Sequence, residues 1–271
     1  MPDELFTQAL NWLSAHADAH RAQAGDDAPL IDRKLRHTMR VLGHVRGIVR
    51  ELPNRPDLAR LAELAAVLHD AGRFPQLVRQ KTYDDRTGYN HAAAGADIVA
   101  ESGLLAPLPE AERALVLAVI RHHNAAVPPH GLAPDTLLVL EVVRDADKLD
   151  AIRNNLKYLN PEAPHGKALK LGVKWDPEGA SDQALQLARE RRLIPFPAIQ
   201  WSNDFVLFLC CWIYDLHYHY SFNELQRSGN YEALLAKLPD NDAMAPIKAQ
   251  LRDDLAFIAA TSRPGIGRSA K

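Results

Sequence analysis

Apolar residues in this chain recur at three- and four-residue intervals and almost nowhere alternate. Thr38, Val41, Leu42, Val45, Ile48, Val49 and Leu52 line one helical face, and Pro53 and Pro56 then break it. Residues 58–68 are so rich in Leu and Ala that a helix there is predicted to be buried nearly all round. A further helix is predicted over about 91–101, stopping at Gly103. The next opens near Pro109 and Glu110, where acids suit the positive end of a helix dipole, and reaches His122 and His123. After a proline-rich loop, Asp135 is predicted to cap a long helix running through Asp147 to about Leu159.

Beyond it, residues 160–179 hold several Pro and Gly residues and read as an irregular connection. Helical patterning returns over 181–192. Ser202 or Asn203 then opens a helix of bulky residues to about Tyr220, two more helices close the chain, and residues 262–271 read as a frayed tail. No alternating run amounts to a strand, so the fold class is all-α. The simplest organisation is one helical domain over residues 1–271, with a core at about 30–155 and a C-terminal helical extension at about 180–260 packed on it.

The bulk numbers narrow the function. With 32 basic and 34 acidic residues the formal net charge is -2, so nothing points to a nucleic-acid polymer or an anionic membrane. The N-terminus lacks a basic start and an apolar run. The most apolar stretch, residues 205–216, is shorter than the roughly 20 residues a bilayer needs and carries Asp215. Cys210 and Cys211 are adjacent within that run, which suits buried reduced thiols and a cytoplasmic setting.

The histidines carry the chemical signal. His69 and Asp70 adjoin at the end of the most apolar helix, where an imidazole and a carboxylate about 100° apart can lean toward one point off its end. Nitrogen and oxygen donors together suit a borderline divalent cation. His37 lies at the edge of the preceding apolar stripe and reaches His69 if the two helices pack antiparallel. A carboxylate from a third helix would complete the set, and residues 144–150 supply candidates. Asp145 and Asp147 stand roughly 200° apart on a helix, so only one can face the site, and spacing alone does not choose between them. His16 and His20, four apart among Ala and charged residues, read as a solvated face. His44 reads as structural, His217 and His219 as surface or packing residues, and Asp215, in an apolar helix, as needing a partner.

Three motifs in order, His37-Thr38, His69-Asp70-Ala71-Gly72-Arg73 and Asp145-Ala146-Asp147-Lys148-Leu149, resemble the HD-domain superfamily over roughly residues 30–155. The resemblance implies an HD-type helical bundle whose metal ligands are His37, His69, Asp70 and Asp147. It selects Asp147 because the distal Asp of that pattern is usually followed by a basic residue and Leu. Asn90-His91 and Arg121-His122-His123-Asn124 resemble the extra histidines of two-metal members. That implies a second ion held by His91 and His122, with Asp70 bridging and His123 as a ligand or substrate contact.

By the same resemblance Asp70, Arg73 and Lys148 are expected to serve catalysis. Arg73, Lys148, Arg40, Arg121, His123 and Asn124 are expected to contact an anionic substrate. The implied activity is hydrolysis of a phosphoester in a nucleotide or other small phosphorylated metabolite. Two divalent ions per chain are implied, with Mn, Mg, Fe, Ni and Co all compatible. The same ligands also suit a di-iron HD-type oxygenase, and a third class is a non-catalytic nucleotide-binding sensor. Members that open cyclic di-GMP carry His-His-Glu and a following Gly-Tyr-Pro, whereas this chain has Asn124 and then Val127-Pro128-Pro129, so that activity is not expected.

Overall fold

The computed structural model describes residues 2–157, 159 and 173–262. Among these residues the chain is helical, with no β-strand and one isolated parallel bridge between Lys174 and Trp201. No described helix is long and apolar enough to cross a membrane. The chain divides into two compact units, Met1–Asp147 and Lys148–Lys271.

The first unit contains α1 (Pro2–Ala24), α2 (Ala28–Ile48), α3 (Pro56–Leu68), α4 (Arg73–Gln80), α5 (His91–Glu101), α6 (Glu110–His122) and the first part of α7 (Pro134–Leu156). On α2 the buried positions include Thr38, Val41, Leu42, Val45 and Ile48, the stripe expected from the sequence, and His37 is buried with them. Pro56 starts α3 as its first residue, where a missing N–H costs nothing. Helix α3 packs against α1, α2 and α6. Leu58, Leu61, Leu64, Val67 and Leu68 are all buried, and full burial of each such side chain contributes about 1.5–3 kcal/mol. Many-sided burial makes α3 the element least free to shift, and the residues at its end are held with it.

Residues 69–72 form a tight turn from α3 into α4, with Ala71 N–H donating to Leu68 O and Arg73 N–H to Asp70 O. At Gly72 a Cβ would lie 2.1 Å from His91 O and 2.8 Å from Gly95 N. Only a residue without a side chain lets the start of α5 approach the His69-Asp70 turn this closely. Helix α5 covers the predicted span. Asn90 caps it, accepting from Ala92 N–H and Ala93 N–H, and Gly103 ends the turn beyond it with φ +70°. Asp135 is not the cap of α7 as expected. The helix starts at Pro134, and the Asp135 carboxylate instead accepts two hydrogen bonds from Arg55 at 3.0 and 2.9 Å.

The second unit takes the end of α7, α8 (Asp182–Arg189), α9 (Ser202–Cys210), α10 (His219–Arg227), α11 (Asn230–Leu235) and α12 (Ala245–Thr261). Its core joins Leu149 and Ile152 to Leu207, Phe222, Tyr231 and Leu251. The bulky helix expected to reach Tyr220 instead stops at Cys210 and tightens to a 3-10 segment, Cys211–Asp215. It then runs extended at Leu216 and restarts at His219. Lys148 Nζ donates to both the backbone carbonyl and the carboxylate of Asp215, at 2.7 and 2.6 Å, which supplies Asp215 with its partner and takes its carbonyl out of a helical ladder. Cys210 and Cys211 are buried free thiols, as expected, and burial pushes Cys211 up to about 12. Asn203 Nδ2 donates to the carbonyls of Asp176, Pro177 and Gly179 and so pins the described end of the irregular connection. The rest of that connection, 160–172, and the expected tail from 263 onward lie outside the described residues.

The close approach at Gly72 is directly testable. Gly72→Ala is expected to cost about 3 kcal/mol, the upper part of the usual range for overpacking, measured by urea denaturation. An unchanged midpoint would show that α5 does not sit against the turn.

Candidate metal centre

Five elements of the first unit converge their polar side chains on one point. Helix α2 contributes His37, the turn after α3 contributes His69 and Asp70, α5 contributes its first residue His91, the residue just past α6 is His123, and α7 contributes Asp147. Among the described residues, three overlapping groups have ligand atoms close enough to share an ion: His37, His69 and Asp70; His69, His123 and Asp147; and Asp70, His91 and His123. All are buried except Asp147, which is half-buried.

Asp70 stands between two halves of the cluster. Its Oδ2 lies 3.4 Å from His37 Nε2 and 3.5 Å from His69 Nε2, while its Oδ1 lies 3.4 Å from His91 Nε2 and 3.9 Å from His123 Nε2. Asp147 Oδ1 is 3.1 Å from His37 Nε2 and 4.0 Å from His69 Nε2. Burial by itself would raise both carboxyls. Lys34 above all holds Asp70 well below its usual range, and the His37 hydrogen bond does the same for Asp147. Helix α7 thus brings Asp147 into the cluster, while Asp145, about 200° round the helix, joins none of the three groups.

The hydrogen bonds fix which ring nitrogens face inward. His69 Nδ1 lies 2.7 Å from Ala66 O, and His123 Nδ1 lies 2.8 Å from Ile120 O. Each acceptor is a carbonyl from the last turn of the helix that the histidine follows, where carbonyls lack a helical partner. A carbonyl only accepts, so Nδ1 carries the proton in both rings and Nε2 presents its lone pair to the cluster. His91 Nδ1 does the same toward the Asp85 carboxylate at 2.7 Å.

Burial lowers His69, and lowers His91 to about 4 and His123 to about 3, with repulsion from Arg73 and from His91 respectively as the next cause. Neutral rings so fixed leave His91 Nε2 and His123 Nε2 3.0 Å apart with no proton between them, and His69 Nε2 buried without a hydrogen-bond partner. Facing lone pairs repel, and a buried acceptor without a donor is costly. A cation relieves both, and imidazole with carboxylate is the donor set of a borderline divalent metal. The cluster therefore fits a metal ion.

Of the adjacent pair His122 and His123, only His123 enters the cluster. His122 is half-buried on another side of α6, because neighbours on a helix point about 100° apart. The sequence held the signal: Val116, Val119, Ile120 and His123 fall on one buried stripe. Lys34, absent from the sequence reading, sits one turn before His37 on the same side, with Nζ 2.7 Å from Asp70 Oδ2 and 5.5 Å from the Tyr83 ring centroid. Desolvation lowers Lys34, and the Asp70 charge opposes that. Asp85, also unanticipated, comes from a loop with no periodicity to reveal it.

Arg73 adjoins the cluster but is tethered. Its Nη1 donates to Gln76 Oε1, Tyr83 O and Asp85 Oδ1 at 2.7–3.0 Å, and its Nε lies 3.4 Å from Asp70 Oδ1. Asn124 donates from Nδ2 to Asp85 and to Asn90, both at 3.2 Å. Arg121 is exposed and paired with Asp97. Arg40 is half-buried one turn along α2 from His37, and Lys148 belongs to the second unit and is bound to Asp215. His16 does not lie on a solvated face: it is half-buried, stacks on Trp12 and donates from Nε2 to Ala71 O at 3.1 Å, bracing the turn from behind.

A family model described as HD domain matches residues 35–152, a span that contains the cluster. Comparisons with curated proteins and with solved structures find no match.

The lowered histidines make a pH prediction for the metal-free protein. Unfolded, His91 and His123 bind protons near 6.5, whereas folded they resist them down to about 4 and about 3. The unfolded state therefore gains protons first, and stability present above pH 6.5 is lost as pH falls. Each ring contributes a slope approaching about 1.4 kcal/mol per pH unit. Urea denaturation at pH 7.5, 6 and 5 checks this, and a flat profile would contradict it.

Proposed function

We propose that the HD domain at residues 35–152 is a metal-dependent phosphohydrolase that cleaves a phosphoester in a nucleotide or another small phosphorylated metabolite. The observation that carries the reading is the double-faced cluster: one Asp70 oxygen looks to His37 and His69, the other to His91 and His123. One cation would be held by His37, His69, Asp70 and Asp147, a second by Asp70, His91 and His123. Bound there, divalent ions supply Lewis-acid chemistry, polarising phosphoryl oxygens and acidifying water toward neutrality.

The protein's own groups do the rest. The Nδ1 protons of His69, His91 and His123 are spent on fixed acceptors, so the inward nitrogens stay unprotonated and the rings cannot turn. Lys34 and Arg73 flank the two oxygens of Asp70 with positive charge, which favours an anionic substrate over a neutral one. Arg40 and Asn124 are proposed as further contacts to it. Lys148 is left out of the proposal, since it is bonded to Asp215.

A panel of phosphomonoesters and phosphodiesters, tested with Mn, Mg, Co, Ni and Fe, is expected to yield metal-dependent release of phosphate or a nucleoside monophosphate. No turnover on any of them, or oxygen consumption with iron as the sole activity, would sink the reading. His123→Ala is expected to lower kcat/KM by about a hundredfold or more, while His122→Ala stays within about twofold of wild type. The reverse order would return the second site to His122.

A further inference from the structure

We propose that Asp85 is a positioning residue: it selects the tautomer of His91 and thereby makes the Asp70–His91–His123 half of the cluster able to accept a cation. The inference rests on reading that cluster as a metal centre and adds to it how one half is set up.

His69, His91 and His123 face the same problem, which is to keep a proton on Nδ1 and off Nε2. His69 and His123 each follow a helix and use a carbonyl three residues back. His91 cannot. It is the first residue of α5, and a helix start offers unpaired N–H donors rather than carbonyls. Its acceptor must come from elsewhere in the chain, and Asp85 supplies it with both oxygens, at 2.9 and 2.7 Å from Nδ1. An ionised carboxylate accepts and does not donate, so this contact permits one tautomer only. Side-chain donors from Arg73, Gln76 and Asn124 converge on the same carboxylate and leave it the accepting role toward His91.

The surroundings are built to hold that carboxylate. Arg73 Nη1 donates to it at 3.0 Å, Gln76 Nε2 at 2.9 Å and Asn124 Nδ2 at 3.2 Å. Gln76 is wholly buried on α4, and its amide serves this network at both ends, accepting from Arg73 and donating to Asp85. The loop is fixed too. Tyr83 Oη donates to Leu30 O at 2.9 Å, Asp84 caps the 3-10 turn Asp85–Thr87, and Gly88 turns the chain at φ +88° toward Asn90. These contacts place Asp85 under His91 rather than leaving it to solvent.

Asp85→Asn isolates the effect, because it keeps the size and removes the obligation to accept. The amide can offer its Nδ2 to His91 Nδ1, which lets the proton move to His91 Nε2. That proton would then point at His123 Nε2, 3.0 Å away, and satisfy the pair without a metal.

Two readouts test the proposal on the intact chain. The first is long-range proton–nitrogen NMR of the metal-free wild type at pH 8, with His91→Gln used for assignment, and Nδ1–H is expected for His91. The second is titration with Mn, followed by counting bound ions and recording the EPR spectrum. Wild type is expected to take two coupled Mn per chain. Asp85→Asn is expected to bind the second ten- to a hundredfold more weakly, the usual loss on removing an outer partner of a ligand, and to show an uncoupled six-line spectrum at one equivalent. Asp85→Glu should retain much of the second-ion affinity, and Asp97→Asn, at an exposed pair, should show none of the loss.

Nε2–H on His91 in the wild type would overturn the proposal even if Asp85→Asn fails to fold. So would two coupled Mn in Asp85→Asn with Nδ1–H retained. Were wild type to bind no Mn, the metal-centre reading itself would fall, a result distinct from either of these.

Discussion

The buried carboxylate of Asp70 is the constraint around which the first unit is organised. A negative charge only 3% exposed is costly unless something positive or polar surrounds it. Lys34 lies against one oxygen and Arg73 against the other, and four histidines on different elements turn their Nε2 atoms toward it. Because burial keeps the rings of His69, His91 and His123 neutral, they do not balance that charge themselves. They present lone pairs, and a basin of lone pairs around a carboxylate is a donor set that could hold a cation.

That basin depends on devices of ordinary helix chemistry. Two histidines placed just past helix ends borrow the carbonyls those ends leave unsatisfied, which fixes ring orientation and tautomer together. The third, at a helix start, takes a carboxylate from a loop. Gly72 lets that helix start approach, and the backbone of Ala71 is braced from behind by His16. Gly72, Ala71, His16 and the loop carboxylate of Asp85 are not ligands in the proposed scheme. Each determines where a ligand stands.

The second unit has its own core and its own half-buried ion pair. Lys148 and Asp215 satisfy one another there, at the end of the 3-10 segment Cys211–Asp215.

The sequence by itself determined the helical class, the starts and stops of α3, α5 and α6, and the three motifs that carry the HD resemblance. These rest on local physics: periodic burial, prolines at helix starts, and a glycine beyond a helix end. Only the tertiary structure separated Asp147 from Asp145 on geometric grounds, because their difference is which side of α7 meets the other helices. It also chose His123 over His122, although the stripe through Val116, Val119 and Ile120 already pointed that way. Lys34 was readable from its place one turn before His37, whereas Asp85 was not, since a loop residue declares no face until the elements at both ends are fixed in space. The pairing of Lys148 with Asp215 spans 67 residues of sequence. Pairings at that separation leave no periodic trace in the chain, so folding alone reveals them.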